Sequence, residues 1–142
     1  MFELHPRLQQ DCIQIGRFRL SRLLLMNDSH FPWFILVPER PGISEIYQLE
    51  SDDRHQLMAE SCHLSQALCR ALKGDKINIA ALGNLVPQLH VHHVVRYRND
   101  AAWPAPIWGL FDAEPYRVEQ IGECKTLLRE VLGEDFEFFN AP

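Results

Sequence analysis

Three of the seven histidines of this chain fall within four residues, at His90, His92 and His93. Imidazole is the side chain whose proton affinity lies nearest neutral pH, so it can attack phosphorus, donate to a phosphoryl oxygen or ligate a metal. Residues 78–82 read as a strand, Gly83-Asn84 as a turn signal, and residues 89–96 as a second strand with Pro87 near its start. Alternation along a strand puts Gln88, His90, His92 and Val94 on one face and Leu89, Val91, His93 and Val95 on the other. Two imidazoles and one amide therefore share a face at intervals of about 7 Å.

This spacing alone leaves three uses open. The histidines can decorate a solvated face above a Leu89/Val91/Val95 core. His90 and His92 can ligate zinc or iron, although zinc takes a third protein ligand even in open catalytic sites and no Cys, Asp or Glu lies within ten residues before His90. Or one imidazole can act as a nucleophile toward phosphorus while its neighbours on the same face contact the phosphoryl oxygens.

The run Gly83-x-x-Val86-Pro87-Gln88-Leu89-His90-Val91-His92, with Asn78 on the incoming strand, resembles the signature of the histidine triad (HIT) superfamily. That signature is His-φ-His-φ-His-φ-φ after an upstream Gly-x-x-Val. The resemblance is to its dinucleoside polyphosphate hydrolase and other nucleotidyl hydrolase members. Gln88 stands at the first triad position, His90 at the middle one, which is the nucleophile in the family, and His92 at the last. A Gln also occurs in the related nucleotidyltransferase branch, there at the last position. The resemblance spans residues 12–109.

It implies an α+β, HIT-like fold: an antiparallel sheet of about five strands with one long helix on it and a C-terminal helix. Residues 1–142 then form one domain, with a motif-bearing core at 12–109 and a helical extension at 110–142. The implied function is hydrolysis or transfer at the α-phosphate of a nucleoside phosphate derivative, such as a dinucleoside polyphosphate or phosphoramidate, through a nucleotidyl-histidine at His90. His92 would hold non-bridging oxygens, as a cation when protonated, and the Gln88 amide would donate where the family has imidazole. Asp28 would accept the ribose hydroxyls, and Asn78 would reach the phosphate or ribose region. Backbone N–H groups of Gly83, Asn84 and Leu85 would face the α-phosphate. Leu85 stands where members often carry a hydroxyl, which removes one donor to the leaving group. The implied ligand is a purine nucleotide and the implied assembly a homodimer. No cofactor is required, although magnesium can accompany a polyphosphate. Two other classes remain: a nucleotide-binding or signalling module with little catalysis, and a metal-dependent enzyme with His90 and His92 as ligands.

The rest of the chain must position these residues. Its 142 residues suit one domain with a single core, and 46% hydrophobic and 23% charged content is ordinary for a globular protein. A net charge of −5 gives no support to a general nucleic-acid surface. The N-terminal residues lack an apolar signal region and no run is long enough to span a bilayer, so a cytoplasmic protein with no membrane association is expected. Cys12, Cys62, Cys69 and Cys124 are scattered, as reduced thiols are.

Residues 8–10 suggest a helical turn, 12–18 and 19–27 a first strand pair with residues 21–26 buried centrally, and 33–37 a third strand. Asp28 lies in the break between them, where by itself it reads as an Asx-turn residue. Leu23, Leu25 and Phe31 are candidates to pack on a base. Leu57, Ser61, Leu64, Leu68 and Ala71 recur at helical spacing after a start near Ser51, with Met58, Cys62 and Leu72 widening the stripe. His55 and His63 read as surface or packing residues. A second helix is expected at 117–132, stopped by Gly133, and a weak edge strand in the tail. Arg96 and Arg98 continue the His90 face and could attract phosphate. Residues 97–109, with Trp103-Pro104 and Pro106-Ile107-Trp108, form a stiff aromatic loop that either covers the histidine face or seals a subunit interface.

Overall fold

Short apolar runs separated by Pro, Gly and Asx breaks become strands, and the one long 3.6-periodic stretch becomes the main helix. In the computed structural model, which describes residues 1–139, the order is α1 (Pro6–Asp11), β1 (Cys12–Arg17), β2 (Ser21–Met26), β3 (Trp33–Pro38), a 3-10 turn (Ile46–Gln48), α2 (Ser51–Leu72), β4 (Lys76–Ala81), β5 (Val91–Arg96), α3 (Val118–Val131) and β6 (Glu137–Phe138). The strands form one antiparallel sheet ordered β4-β5-β3-β2-β1-β6. The sheet thus has six strands rather than about five, because the weakly alternating tail adds β6 to the edge of β1.

The two faces of the sheet are covered differently. On one, α2 and α3 bury Leu23, Leu25, Leu36, Val91 and Val95 against Leu57, Leu64, Leu68, Leu128 and Leu132. Leu23 and Leu25, candidates for a base-binding wall, are therefore ordinary core beneath the helices. The stripe of α2 is narrower than its apolar composition suggests, since Met58 and Cys62 face outward. Buried instead is Glu60, whose carboxylate accepts from the backbone N–H groups of Leu20 and Ser21 at 2.8 and 3.0 Å and from the Gln56 amide. It fastens the β1–β2 turn to the helix, since a buried charge is tolerable only when its oxygens are hydrogen-bonded.

The opposite face carries two smaller clusters. Leu4 and Leu8 of the N-terminal segment pack on Leu24, Ile35 and Val37, and Phe31, Val94, Ala102 and Ile107 tie the segment after β5 to the sheet. The aromatic loop therefore covers the histidine face.

Gly16 adjoins a bulge in β1, where Ile15 has no partner in β2. A Cβ at Gly16 would collide with the Glu137 carbonyl oxygen and meet the Phe136 ring at 2.8 Å, so only glycine admits β6 to this edge. Among the described residues no helix is long and apolar enough to cross a membrane, and all four cysteines are free.

Candidate active site

The alternation of β5 holds in the fold: Val91, His93 and Val95 face α2, and His92, Val94 and Arg96 face the other side. His90 lies one residue before the strand begins, off the regular pleat. Its ring approaches that of His92 to 4.9 Å between centroids, closer than the spacing of a regular strand, at an interplanar angle of 69°. Both imidazoles are buried as residues yet line a cavity of about 420 Å³. Its walls are Arg7, Leu8 and Asp11 of α1, residues 82–86 of the β4–β5 loop, and Trp108-Gly109 of the aromatic loop.

Hydrogen bonding fixes which nitrogen of each ring carries the proton. His90 Nδ1 lies 2.7 Å from the backbone carbonyl oxygen of Gln88, an acceptor only, so Nδ1 donates and Nε2 of the neutral ring keeps its lone pair. His92 Nδ1 receives the indole N–H of Trp33 at 2.9 Å, a group that only donates, so the proton of neutral His92 sits on Nε2. Burial, then the neighbouring His90 and His93, push the His92 pKa down to about 3. His92 is thus a neutral Nε2–H donor in the free protein, not the cation the sequence reading allowed. One ring offers a nucleophilic nitrogen and its neighbour an N–H donor, with the ring centroids 4.9 Å apart.

His93 faces the helices. Its Nδ1 donates to the Val91 carbonyl oxygen at 3.0 Å and its Nε2 accepts from Ser61 Oγ at 2.7 Å, while burial lowers its pKa to about 4. It is a core histidine that locks β5 to α2.

The other residues singled out in the sequence separate. Gly83, Asn84 and Leu85 are on the cavity rim, with Gly83 at φ +81, a backbone region that favours glycine. Their backbone N–H groups find no acceptor among the described residues. Asp28 lines an adjoining cavity of about 120 Å³ with Phe31, Trp33, Ile107, Phe111 and Ala113, which shares Met26 and Gly109 with the first. Its Oδ1 does make the Asx-turn, accepting from the His30 backbone N–H, and also takes the His30 ring and the Glu114 N–H.

Asn78 lines neither cavity. Its Oδ1 accepts from Arg96 Nη1 at 2.8 Å. Arg96 itself is 1% exposed, bidentate to Asp100 at 2.8 and 3.0 Å and flanked by the rings of Phe31 and Trp103. Its donors are committed within the fold, so the expectation that it attracts phosphate is not met. Asp100 also accepts three backbone N–H groups, and its carboxyl is held well below the usual carboxylate range, chiefly by Arg96. Arg98 is exposed and outside both cavities.

The Gln88 amide is bonded to backbone rather than to either imidazole. Its Nε2 donates to the Glu3 carbonyl oxygen and its Oε1 accepts from the His5 N–H, both at 2.8 Å, so the amide proposed to meet phosphate is engaged by the chain's own N-terminal segment. Trp33 and the α1 residues were not among the expected site residues, whereas Trp108 lies in the aromatic loop for which covering this face was one of two expectations. An indole N–H one strand away is a signal for an orienting partner only once the pairing of β3 with β5 is known.

Among the described residues no group of three or more His, Cys, Asp or Glu side chains is arranged to hold a metal ion.

The HIT domain family model matches residues 7–99. A histidine triad protein from Marinobacter aquaeolei VT8 is 49% identical over 93% of this chain and 96% of its own, with a TM-score of 0.91. Histidine triad proteins from Bradyrhizobium japonicum and Sinorhizobium meliloti 1021 are 44% and 42% identical, each over 93% of this chain and 98% of theirs, with TM-scores of 0.90 and 0.91. No curated protein matches the chain.

Proposed function

The chain belongs to the HIT domain family, whose members generally bind and hydrolyse nucleotides, and from that premise we propose that it cleaves nucleoside phosphate derivatives at the α-phosphorus through a nucleotidyl-His90 intermediate. The observation that carries this reading is the pair of complementary tautomers, a free lone pair on His90 Nε2 beside an N–H on His92 Nε2. His90 Nε2 forms a bond to phosphorus as the bond to the leaving group breaks, and the leaving group departs with that electron pair. The ring becomes cationic, and its Nδ1–H bond to the Gln88 carbonyl oxygen strengthens as the charge grows. His92 Nε2–H donates to a non-bridging oxygen, with the free N–H groups of Gly83, Asn84 and Leu85 as further donors. Water then attacks phosphorus, releasing nucleoside monophosphate and regenerating His90.

In this reading Asp28 accepts ribose hydroxyls at its cavity, and the aromatic wall around Phe31 and Phe111 takes apolar substrate surface. The substrate is a purine nucleotide carrying a second group on its α-phosphorus, and magnesium enters only with a polyphosphate. A homodimer pairing the outer edges of two β4 strands is the assembly we propose, since that edge lacks a partner among the described residues and Ile79 and Leu82 are about half exposed beside it. Sedimentation should then give twice 16.5 kDa, and a monomer would overturn it.

The test of the chemistry is intact-protein mass after rapid quenching with adenosine and guanosine phosphoramidates and dinucleoside polyphosphates. The expected result is a gain of one nucleotidyl group that disappears in His90→Ala. Tight nucleotide binding with neither adduct nor product would instead make the protein a binding module.

A further inference from the structure

The first triad position holds an amide, and that amide makes a two-point contact with the start of the chain. The Glu3 carbonyl and the His5 N–H flank Leu4, and both meet Gln88 at 2.8 Å. This is the pattern in which a residue of a parallel strand engages the two residues on either side of its neighbour. Between them Leu4, 4% exposed, is driven into the sheet among Leu8, Leu24, Ile35 and Val37. His5 then caps α1: its Nδ1 accepts from the Arg7 N–H at 3.0 Å. From this cap α1 delivers Arg7, Leu8 and Asp11 to the wall of the histidine cavity.

We propose that Gln88 is a positioning residue whose amide clasps the N-terminal segment and thereby seats α1, with Arg7, as the substrate-binding wall of the histidine cavity. The first triad position then serves binding rather than events at phosphorus. Arg7 is the one Lys or Arg side chain in this wall. Among the described residues only its Nε is engaged, by Asp11 at 3.2 Å, which leaves its terminal N–H groups for an anionic oxygen of the substrate. A primary amide suits the clasp because its donor and acceptor leave from one carbon on one side. An imidazole also has one donor and one acceptor when neutral, but they diverge across the ring and cannot meet Glu3 and His5 together.

The role of Arg7 in substrate binding rests on the nucleotide reading above, whereas the clasp itself does not, and the experiment separates them. Amide hydrogen exchange at His5 and Arg7 is compared in wild type, Gln88→Ala and Gln88→His without nucleotide. Steady-state kinetics on a diadenosine polyphosphate and calorimetric binding of adenosine monophosphate follow for the same proteins and for Arg7→Ala. Both Gln88 variants should speed exchange at His5 by about tenfold, the effect of losing an ordinary hydrogen bond. KM should rise by about tenfold with kcat within about twofold, and Arg7→Ala should show the same split.

Unchanged exchange at His5 in Gln88→Ala would overturn the clasp. Faster exchange with unaltered KM and unaltered nucleotide affinity would overturn its role in binding. A fall in kcat at constant KM would return Gln88 to the chemistry at phosphorus. If the wild type turns over no nucleotide, the proposed function fails and the exchange result still decides the clasp. Binding of adenosine monophosphate that weakens in the variants would then support the positioning role without catalysis.

Discussion

Two buried imidazoles that stay neutral in the fold make its stability depend on pH in a calculable way. His92 and His93 have pKa values lowered from 6.5 to about 3 and about 4. In the unfolded chain each returns to about 6.5, so between about 6.5 and 4 the unfolded state binds protons that the folded state refuses. Stability is therefore full above pH 7 and falls as the pH drops through that window. At pH 5 the unfolded imidazole gains about 1.5 pH units of protonation free energy, or about 2 kcal/mol for each ring. The result barely depends on the folded value, because a pKa of 3 or of 4 leaves the folded ring neutral at pH 5.

The perturbation is His93→Asn, whose side-chain N–H can still donate to the Val91 carbonyl oxygen while the bond to Ser61 is lost. The variant should be less stable than wild type at pH 8. Its further loss between pH 8 and pH 5 should nevertheless be smaller than that of wild type by about 2 kcal/mol. Urea titrations at the two pH values read this as a midpoint difference on the order of 1 M. Comparing the two proteins cancels carboxylates and the other histidines. Parallel pH profiles for wild type and variant would mean that His93 is not held neutral, and would refute the assignment of its ring to the core.

Trp33→Phe removes the indole donor that fixes the His92 tautomer, so single-turnover nucleotidyl transfer should slow about tenfold, the effect of one hydrogen bond. An unaltered rate would remove Trp33 from the proposed mechanism. Arg96→Ala leaves Asp100 without its partner beneath the aromatic loop and should cost about 3–5 kcal/mol in chemical denaturation. A loss under about 1 kcal/mol would show that the pair is not what anchors the loop.

Much of this molecule is legible in its sequence because periodicity and punctuation agree with the final contacts. The α2 stripe, the central burial of residues 21–26 and the opposed faces of the histidine strand all follow from side-chain direction. The sequence says less about long-range polar pairing. Nothing in the order of residues announces that Gln88 reaches Glu3 and His5, that Glu60 turns inward to Leu20 and Ser21, or that Asn78 serves Arg96. A polar side chain has several possible partners, and the fold chooses among them by bringing distant backbone groups within 3 Å. Arg96 is the clearest case. Its strand position aims it at the histidine face as alternation requires, but Asp100, four residues on, saturates its fork before it can meet a ligand.

Gly16 governs more than the local approach of two strands. By admitting β6 against β1, it covers Gly16 and Arg17 at one flank of the sheet with a strand of only two residues, too short to template another chain. Among the described residues the outer edge of β4 is the longer flank with no strand beside it. A sheet with two open flanks can propagate indefinitely, whereas one with a single open flank is exhausted after one event, because the joined edges face each other across a two-fold axis. A side chain at Gly16 would push β6 off the β1 flank and expose the backbone groups of Gly16 and Arg17 that it now covers.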